Sequence, residues 1–335
     1  MKDIAKKAGV SLSTVSLVLN NKEARISEKT KEKIKRIAQQ NNYHPNSAAV
    51  SLSKKISYNI GLIVPDITNP FFAQLTRLVD EKIRSYGYST LFADSNNSAK
   101  REKEILANMA SHGVDGVLLV PSNEFFYQST KDNQEMIDDL GKPLILVNAS
   151  SDMKVTTINF DNYLGAQLAT QCLIDRGHRE IAFIKGKDKY VNAPERYRGY
   201  LDTLKKNNLQ FDPNLVYKGD YSIESGYRAA PQIFNNPKIT GIVSSSDMMI
   251  FGLIKWSNEH HLDIFDRYSL IGFDNDPTDA FTQVPLASID QELSLMVNEA
   301  TTQLIQKINK KVNSYKHIII KPKLIVRRSV RKNKN

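Results

Sequence analysis

The sequence predicts a small all-α helix-turn-helix head followed by an α/β body with two parallel-sheet lobes. Three observations support this prediction. Helix patterns with cap residues fill the first forty residues, short apolar strands alternate with amphipathic helices from residue 60 onward, and this alternation occurs in two sets. The length of 335 residues fits two or three domains.

Three short helices account for the head. Asp3–Ala8 is the first, and Gly9 is expected both to end it and to let the next helix approach closely. Ser11 is placed to cap a second helix over Leu12–Leu19, and Ser27 to cap a third over EKTKEKIKRIAQQ. Two helices joined by a tight turn are typical of the helix-turn-helix arrangement, whose second helix enters the major groove of DNA.

The second helix has two unlike faces. Val15, Val18 and Leu19 have the i, i+3, i+4 spacing of a buried stripe. The opposite face is polar except for one leucine and comprises Ser13, Ser16, Leu17 and Asn20. A leucine on such a face is either an ordinary surface residue or a contact for a partner.

Charge is distributed unevenly along the chain. Residues 1–60 carry 12 Lys and Arg against 4 Asp and Glu, residues 61–320 carry 27 against 32, and residues 321–335 carry 7 against none. A basic head suggests a polyanionic partner, most simply nucleic acid, although a solvated charged surface explains the same numbers. The basic tail, which includes residues 331–335, is expected to be frayed and soluble.

Export and membrane insertion are not predicted. No apolar run approaches the roughly 20 residues of a membrane span, and the N-terminus MKDIAKKAGVS lacks the apolar core of a secretory signal. The single cysteine, Cys172, excludes an intrachain disulfide and a cysteine-cluster metal site, and it fits a reducing cytoplasm. We therefore expect a cytoplasmic protein without a metal or cofactor.

In the body, strands and helices alternate along the chain. The predicted strands are 60–64, 89–93, 116–120, 143–147, 180–184, 241–245 and 269–273. The predicted helices are 71–86, 100–112, about 132–140, 163–176, 196–208, 223–235 and 248–260. This order predicts parallel sheets with helices on both faces. Its two sets predict two lobes with a cleft between them.

Residues that follow the strands are candidates for ligand binding, because ligands of open parallel sheets lie beyond the carboxyl ends of the strands. The candidates are Phe71, Phe72, Asn148, Arg196, Tyr221, Asp247 and Asp274. These side chains suit a sugar, because aromatic rings pack against the C–H faces of a sugar ring and Arg and Asp form hydrogen bonds with its hydroxyls. Asp247 is explained equally well as a helix N-cap, and the Phe pair has an alternative explanation as ordinary core.

Three segments, KDIAKKAGVSLSTVSLVLN, ISEKTKEKI and NNYHPNSAAVSL, resemble the DNA-binding head of the lactose-repressor (LacI/GalR) family of bacterial transcriptional regulators. A lone helix-turn-helix match is weak, whereas this ordered series is specific, and the resemblance continues through most of the chain. It implies a head over 1–46, a hinge helix and linker over 47–59, and a body over 60–330 with a periplasmic-binding-protein fold.

The resemblance gives the second helix a role in reading DNA. It implies that Leu17 packs on a thymine methyl in the major groove, at a position where relatives often carry arginine or histidine. Leu12 and Ser13 are the other expected base contacts. The side chains suited to phosphate oxygens are those of Thr14, Ser16, Asn20 and Asn46.

The segment SAAVSLS, residues 47–53, is too short to hold a helix in isolation. In the family this segment folds on operator DNA, pairs with its twin and inserts a leucine into the minor groove. Leu52 matches that leucine. Val50 stands where relatives commonly have arginine, and Lys54 and Lys55 are expected to compensate for the missing charge. A plain flexible linker is the alternative.

The resemblance also divides the body between two lobes that the chain crosses three times. Lobe 1 is expected to comprise 60–158 and 288–316, and lobe 2 to comprise 161–285 and 317–330. The residues that match ligand-pocket positions of the family are Phe72, Asn148, Phe160, Arg196, Tyr221 and Asp274. The resemblance does not imply which ligand is bound.

The sequence therefore predicts a homodimeric repressor of a carbohydrate-utilisation operon, gated by a sugar or sugar phosphate, on a pseudo-palindromic operator. A solute-binding protein of transport would share the fold of the body, but the basic head and the missing signal argue against it. No GxSxG, GxxxxGK(S/T), HExxH or Cys/His metal spacing is present, so an enzyme is not expected. Control by a phosphorylated carrier protein and a purine-responsive repressor remain open.

Overall fold

The structure is a computed structural model, and it describes residues 1–19, 25–41, 56–149, 152–310 and 314–333. The chain divides into two compact units, Met1–Tyr58 and Asn59–Asn335. In the described residues, no helix is both long enough and apolar enough to cross a bilayer.

The first unit is the predicted three-helix head. Its helices are α1 (Lys2–Ala8), α2 (Leu12–Leu19) and α3 (Glu28–Gln40). One small core joins them, built from Ile4, Ala5, Ala8, Val15, Val18, Ile34, Ile37 and Ala38. The all-α head expected from the helix pattern is confirmed.

Local capping explains where these helices begin and end. Gly9 has φ 71° and ends α1 in the left-handed region that glycine favours. Nothing lies within 4 Å of a Cβ built at Gly9, so its role is this backbone angle and not the predicted close approach of helices. The Ser11 hydroxyl accepts from the Thr14 N–H (3.1 Å), and the Ser27 hydroxyl accepts from the Thr30 N–H (3.3 Å).

The body's first lobe is a parallel sheet with helices on both faces. Its strands are β1 (Asn59–Val64), β2 (Ser89–Asp94), β3 (Gly116–Leu119), β4 (Leu144–Val147), β5 (Thr156–Phe160) and β11 (His317–Ile320). Their order across the sheet is β11–β5–β4–β3–β1–β2. The helices of this lobe are α4 (Pro70–Ser85), α5 (Ala99–Ser111), α6 (Thr130–Asp139) and α12 (Leu293–Lys310). Helices α4 and α12 pack on one face, and α5 and α6 pack on the other.

The second lobe repeats this architecture. Its strands are β6 (Ile181–Lys185), β7 (Val216–Lys218), β8 (Gly241–Ser244), β9 (Ser269–Phe273), β10 (Ala287–Asp290) and β12 (Lys323–Ile325). Their order is β12–β10–β9–β8–β6–β7, and β12 is antiparallel to β10. Its helices are α7 (Asn162–Asp175), α8 (Ala193–Lys206), α9 (Ile223–Phe234), α10 (Asp247–Glu259) and α11 (Ile264–Arg267). The two predicted parallel-sheet lobes are confirmed.

Strand pairing changes two predicted lobe boundaries. Strand β10 pairs with β9 and β12 in the second sheet, so residues 288–290 belong to the second lobe and not to the first. Strand β11 pairs with β5 in the first sheet, so residues 317–320 belong to the first lobe and not to the second. Hydrogen bonding between strands that are distant in sequence decides which sheet a strand joins, and a resemblance read along the chain does not contain that information.

Candidate functional site

The loops after the parallel strands of both lobes line one cavity of about 330 Å³. This volume is at the small end of the roughly 300–1,000 Å³ range of small-molecule sites. Asp66 follows β1, Asn148 follows β4, Asp274 follows β9 and Gln291 follows β10, and all four line the cavity. The cavity therefore lies where the fold class predicts a ligand.

Arg196 is the buried cation of this cavity. It lies in the first turns of α8 and is 4% exposed. Its Nε–H donates to the Asn162 side-chain oxygen (2.8 Å), and one Nη1–H donates to the Ser245 carbonyl. The guanidinium carbon lies 3.7 Å from the centroid of the Phe273 ring. These contacts fix the plane of the guanidinium before any ligand arrives.

Asp274 stands beside this arginine. Its Oδ1 lies 3.9 Å from Arg196 Nη2 and accepts from the Gln291 amide, and its Oδ2 accepts from the Ser246 hydroxyl (3.4 Å). The backbone φ of Asp274 is 108°, a strained angle for a residue with a side chain. Burial raises the pKa of Asp274 to about 6. The pair offers a carboxylate acceptor and guanidinium donors to hydroxyl groups within one short span.

Tyr221 contributes a neutral hydroxyl and an aromatic face. Its ring centroid lies 5.3 Å from that of Tyr190, and both rings line the cavity. Burial raises the pKa of Tyr221 to about 12. Its hydroxyl is buried and has no hydrogen-bond partner in the part of the chain that the structure describes. A Cβ at Gly186 would lie 2.5 Å from the ring, so only glycine permits this placement.

Asparagine side chains connect the two lobes across the cavity. Asn148 has φ 57°, and its side-chain oxygen accepts from the Asn192 amide (3.3 Å). The Asn192 oxygen in turn accepts from the Asn162 amide (3.3 Å). Because Asn162 also holds Arg196, the lobe-to-lobe contact and the buried cation belong to one hydrogen-bonded network.

The predicted aromatic residues separate into two groups. Phe71 and Phe72 begin α4, line the cavity and pack edge to face with centroids 5.2 Å apart. Phe160 does not line the cavity in the described residues: it is 3% exposed and lies in the core of the first lobe, 6.1 Å from the Phe71 ring. Phe160 was predicted to contact the ligand directly. In the structure it instead packs behind Phe71 and supports that ring.

Asp247 is neither the N-cap nor a residue of the main cavity. The helix α10 is capped by Ser246, whose hydroxyl accepts from the Met248 N–H (3.3 Å). Asp247 is 1% exposed, accepts from the Asp276 N–H (3.0 Å) and from the Ser288 hydroxyl (2.7 Å), and so fixes the turn that carries Asp274. Burial, with the nearby Asp279 carboxyl, raises the pKa of Asp247 well above its usual value.

The sequence did not indicate several residues of this site, among them Asn162, which holds Arg196, and Gln291 and Asn192, which line the cavity. Asn162 follows β5 and Gln291 follows β10, and neither strand was predicted. Asn192 precedes α8 in a loop without a strand signal. The rule that ligand residues follow strands finds the first two once the strands are known.

Among the described residues, no group of three or more His, Cys, Asp and Glu side chains has a metal-binding arrangement.

In the head, the candidate DNA-reading residues lie on α2. Leu12 is 46% exposed, Ser13 is exposed, and Leu17 is half-buried. The Ser11 hydroxyl lies 2.7 Å from the Ser13 hydroxyl and 2.8 Å from the Thr14 hydroxyl. Ser16 is half-buried on the same helix. The remaining predicted contacts lie outside the described residues and are Asn20, Asn46, Leu52, Lys54 and Lys55.

Two family models match the chain in succession. Residues 1–46 match "Bacterial regulatory proteins, lacI family", and residues 57–328 match "Periplasmic binding proteins and sugar binding domain of LacI family". The first match covers the three-helix head, and the second covers both lobes of the body. The resemblance stated from the sequence is confirmed.

Individual relatives align along nearly the whole chain. The HTH-type transcriptional repressor PurR of Histophilus somni is 31% identical over 333 residues, which are 99% of this chain and 98% of the relative. The ribose operon repressor of Halalkalibacterium halodurans is 30% identical over 337 residues, 100% of this chain and 98% of the relative. The solved lac repressor dimer bound to operator and the anti-inducer ONPF is similar in fold, with a TM-score of 0.87, 23% identity and 98% coverage of each chain.

Proposed function

The chain belongs to the LacI family of DNA-binding transcriptional repressors, and we propose that it represses a carbohydrate-utilisation operon under the control of a sugar or sugar-phosphate effector. One observation supports the effector most directly. Arg196 and Asp274 lie side by side in a cavity whose walls include Phe71, Phe72 and Tyr221. Charged groups beside aromatic faces suit a molecule with hydroxyls on its edges and C–H groups on its faces.

The proposed DNA contacts follow the chemistry of α2. Leu12, Ser13 and Leu17 read base edges in the major groove, with Leu17 packed on a thymine methyl. Hydroxyl and amide side chains hold phosphates without reading sequence, and these are Thr14, Ser16, Asn20 and Asn46. Leu52 enters the minor groove, and Lys54 and Lys55 neutralise phosphates beside it.

A homodimer on a pseudo-palindromic operator completes the proposal. Strand β2 is an edge of the first sheet, and its Leu91 and Phe92 are 37% and 43% exposed. Exposed apolar side chains on an edge strand favour association with another chain. We place the protein in the cytoplasm, where operator DNA is accessible, and we propose no catalytic step.

Gating requires that the effector bind one arrangement of the lobes better than another. A ligand held by Arg196 and Asp274 in the second lobe and by Phe71 in the first would favour the closed arrangement. A coupling of roughly 1–3 kcal/mol between the cleft and the head changes operator occupancy several-fold or more.

The proposed function is tested with the full chain and a pool of random duplex DNA. Selection on the protein should enrich a two-fold symmetric sequence, which should bind more tightly than a scrambled duplex of the same length and composition. A panel of sugars, sugar phosphates and purine bases is then added to the selected complex. At least one sugar should change the operator affinity several-fold. No preference for any duplex, with or without these metabolites, would overturn the proposal.

A further inference from the structure

The walls of the cleft carry an excess of negative charge. Four carboxylate residues line the cavity, namely Asp66, Asp220, Glu224 and Asp274. Among the described lining residues, Arg196 is the one Lys or Arg side chain that opposes them. Like charges in a partly enclosed site interact more strongly than in open water, because the surrounding protein screens them less than water does.

The buried arginine is poorly placed to bind an added anion. Its Nε–H and one Nη1–H already donate to Asn162 and Ser245. Its Nη2 lies 3.9 Å from Asp274 Oδ1, so an anion that accepts from Nη2 also approaches that carboxylate. A hydroxyl avoids this conflict, because it donates to the carboxylate and accepts from the guanidinium at the same time.

Basic residues outside the cavity lining offset one of the four carboxylates and do not reverse the charge balance. Lys185 pairs with Asp188, whereas Lys187 Nζ and Arg228 Nη2 lie 3.7 and 3.6 Å from Asp220 Oδ2 and offset that wall charge. Lys189 Nζ lies 5.6 Å from the centroid of the Tyr127 ring. None of the three lysines is among the described residues that line the cavity. Asp66, Glu224 and Asp274 therefore set the sign of the walls, and among the described lining residues Arg196 opposes them.

We propose that the cleft selects an uncharged or cationic polyhydroxylated ligand and rejects the phosphorylated form of the same sugar. This inference rests on the proposed sugar effector and narrows it to one of the two ligand classes left open above. The carboxylates of Asp66, Glu224 and Asp274 accept hydroxyl or ammonium donors, and they repel a phosphate that carries ≈ −1.5 to −2 charges at pH 7. The ligand's C–H faces pack on the aromatic walls.

Matched pairs of ligands test the inference on the full chain. Thermal shift and titration calorimetry compare pentoses, hexoses and disaccharides with their monophosphates, for example D-ribose with ribose 5-phosphate and D-glucose with glucose 6-phosphate and glucosamine. For each sugar that binds, the phosphate should bind at least tenfold more weakly. A phosphate that binds as tightly as its parent would overturn the inference and leave the sugar-effector proposal standing. Failure of every member to bind would overturn that proposal and the inference with it.

A pair of variants tests whether charge causes the discrimination. Glu224 is an exposed residue in the first turn of α9, so Glu224→Gln removes a wall charge without disturbing the core. It should reduce the preference for sugar over sugar phosphate several-fold. The control is Glu104→Gln, because Glu104 is an exposed residue of α5 that does not line the cavity. This variant should leave the ratio of the sugar affinity to the sugar-phosphate affinity unchanged. An unchanged ratio in Glu224→Gln would contradict the electrostatic cause.

Discussion

The outer face of α2 and the cleft of the body use side chains in opposite ways. On α2, Leu12 and Ser13 are exposed, and the Ser13 hydroxyl lies within hydrogen-bond distance of the Ser11 hydroxyl in the same turn. In the cleft, Arg196 is 4% exposed and bonded to residues of two other segments. An exposed residue with local contacts can be exchanged with little effect on stability, whereas a buried charge cannot. We therefore expect substitutions on α2 to change DNA preference, and substitutions in the cleft to change ligand binding and stability together.

The largest effect is expected from Arg196→Met. Removal of the cation leaves the Asp274 carboxyl buried without its oppositely charged neighbour, and the Asn162 and Ser245 acceptors lose their donor. Sugar binding should weaken at least a hundredfold, and the free energy of unfolding of the body should fall by about 3 kcal/mol. Fluorescence of Trp256, the single tryptophan of the chain, reports unfolding of the body in denaturant.

The matched control is Arg198→Met, two residues further along α8. Arg198 is exposed and pairs with Glu195 at 2.8 Å on the surface. Surface pairs of this kind contribute below about 1 kcal/mol, so stability and sugar binding should change little. Equal losses in the two variants would contradict the distinction between buried and exposed charges.

The second largest effect concerns pH and the buried Glu102 of α5. Its Oε1 accepts from the Ser122 N–H and from the Ser95 hydroxyl (3.4 Å), and so joins the loops after β2 and β3. Burial raises the pKa of Glu102 from its usual 4.5 to about 7. The folded form therefore holds a proton that the unfolded chain releases, so the stabilisation is full below about pH 4.5 and is lost as the pH rises through 7.

The body should accordingly be more stable at pH 5.5 than at pH 8, and Glu102→Gln should remove on the order of 2 kcal/mol of that difference. Denaturation of the full chain at the two pH values measures the effect. Part of the pH dependence should survive, because burial also raises the pKa of Asp279 to about 7. An undiminished difference between the two pH values in the variant would show that Glu102 is not the titrating group.

A smaller effect, on specificity, is expected from Leu17→Ala. Loss of an apolar contact with a thymine methyl should reduce discrimination at one base position by about 1 kcal/mol, with little change on unrelated duplexes. The measurement is affinity for the selected operator and for single-base variants of it. Lys54→Ala and Lys55→Ala are the contrast, because loss of a phosphate contact should weaken all duplexes alike and flatten the salt dependence. Uniform losses for Leu17→Ala would exclude its base-reading role.

The smallest effect is expected at the cap of α2. Ser11→Ala removes the acceptor of the Thr14 N–H and should reduce the stability of the head by about 1 kcal/mol. Ser11→Gly should reduce it by only a few tenths of a kcal/mol, because glycine leaves the N–H accessible to water. Amide hydrogen exchange in α2 measures both variants. The capping account fails if glycine destabilises the head as much as alanine.

The fold was predictable where a segment carries its own signal. The helices of the head have caps and apolar stripes, and the central strands of both sheets are short apolar runs between helices. Strands β5 and β10, with sequences TTINF and ASID, were not predicted because polar residues interrupt them. Their partners in the sheets, and not their own composition, make them strands.

The candidate site was predictable mainly where its residues stand close to elements that carry their own sequence signal. Arg196 and Asp274 were found because they come after predicted strands, and Tyr221 because it matches a pocket position of the family, whereas Gln291 was missed together with β10. Asp247 stands at a helix start beyond a predicted strand, and no local pattern shows that its carboxyl turns inward toward Ser288. Side-chain direction depends on packing between distant segments, which spacing along one segment does not specify.

The central claim is that occupancy of the cleft and binding by the head are coupled, and reciprocity tests it most directly. The dissociation constant of the sugar is measured on the full chain in the absence of DNA and with saturating amounts of the selected operator. The dissociation constant of the operator is measured in the absence of sugar and with saturating sugar. The account predicts that both affinities change by the same factor, at least fivefold. A sugar affinity that is unaffected by operator DNA would contradict it.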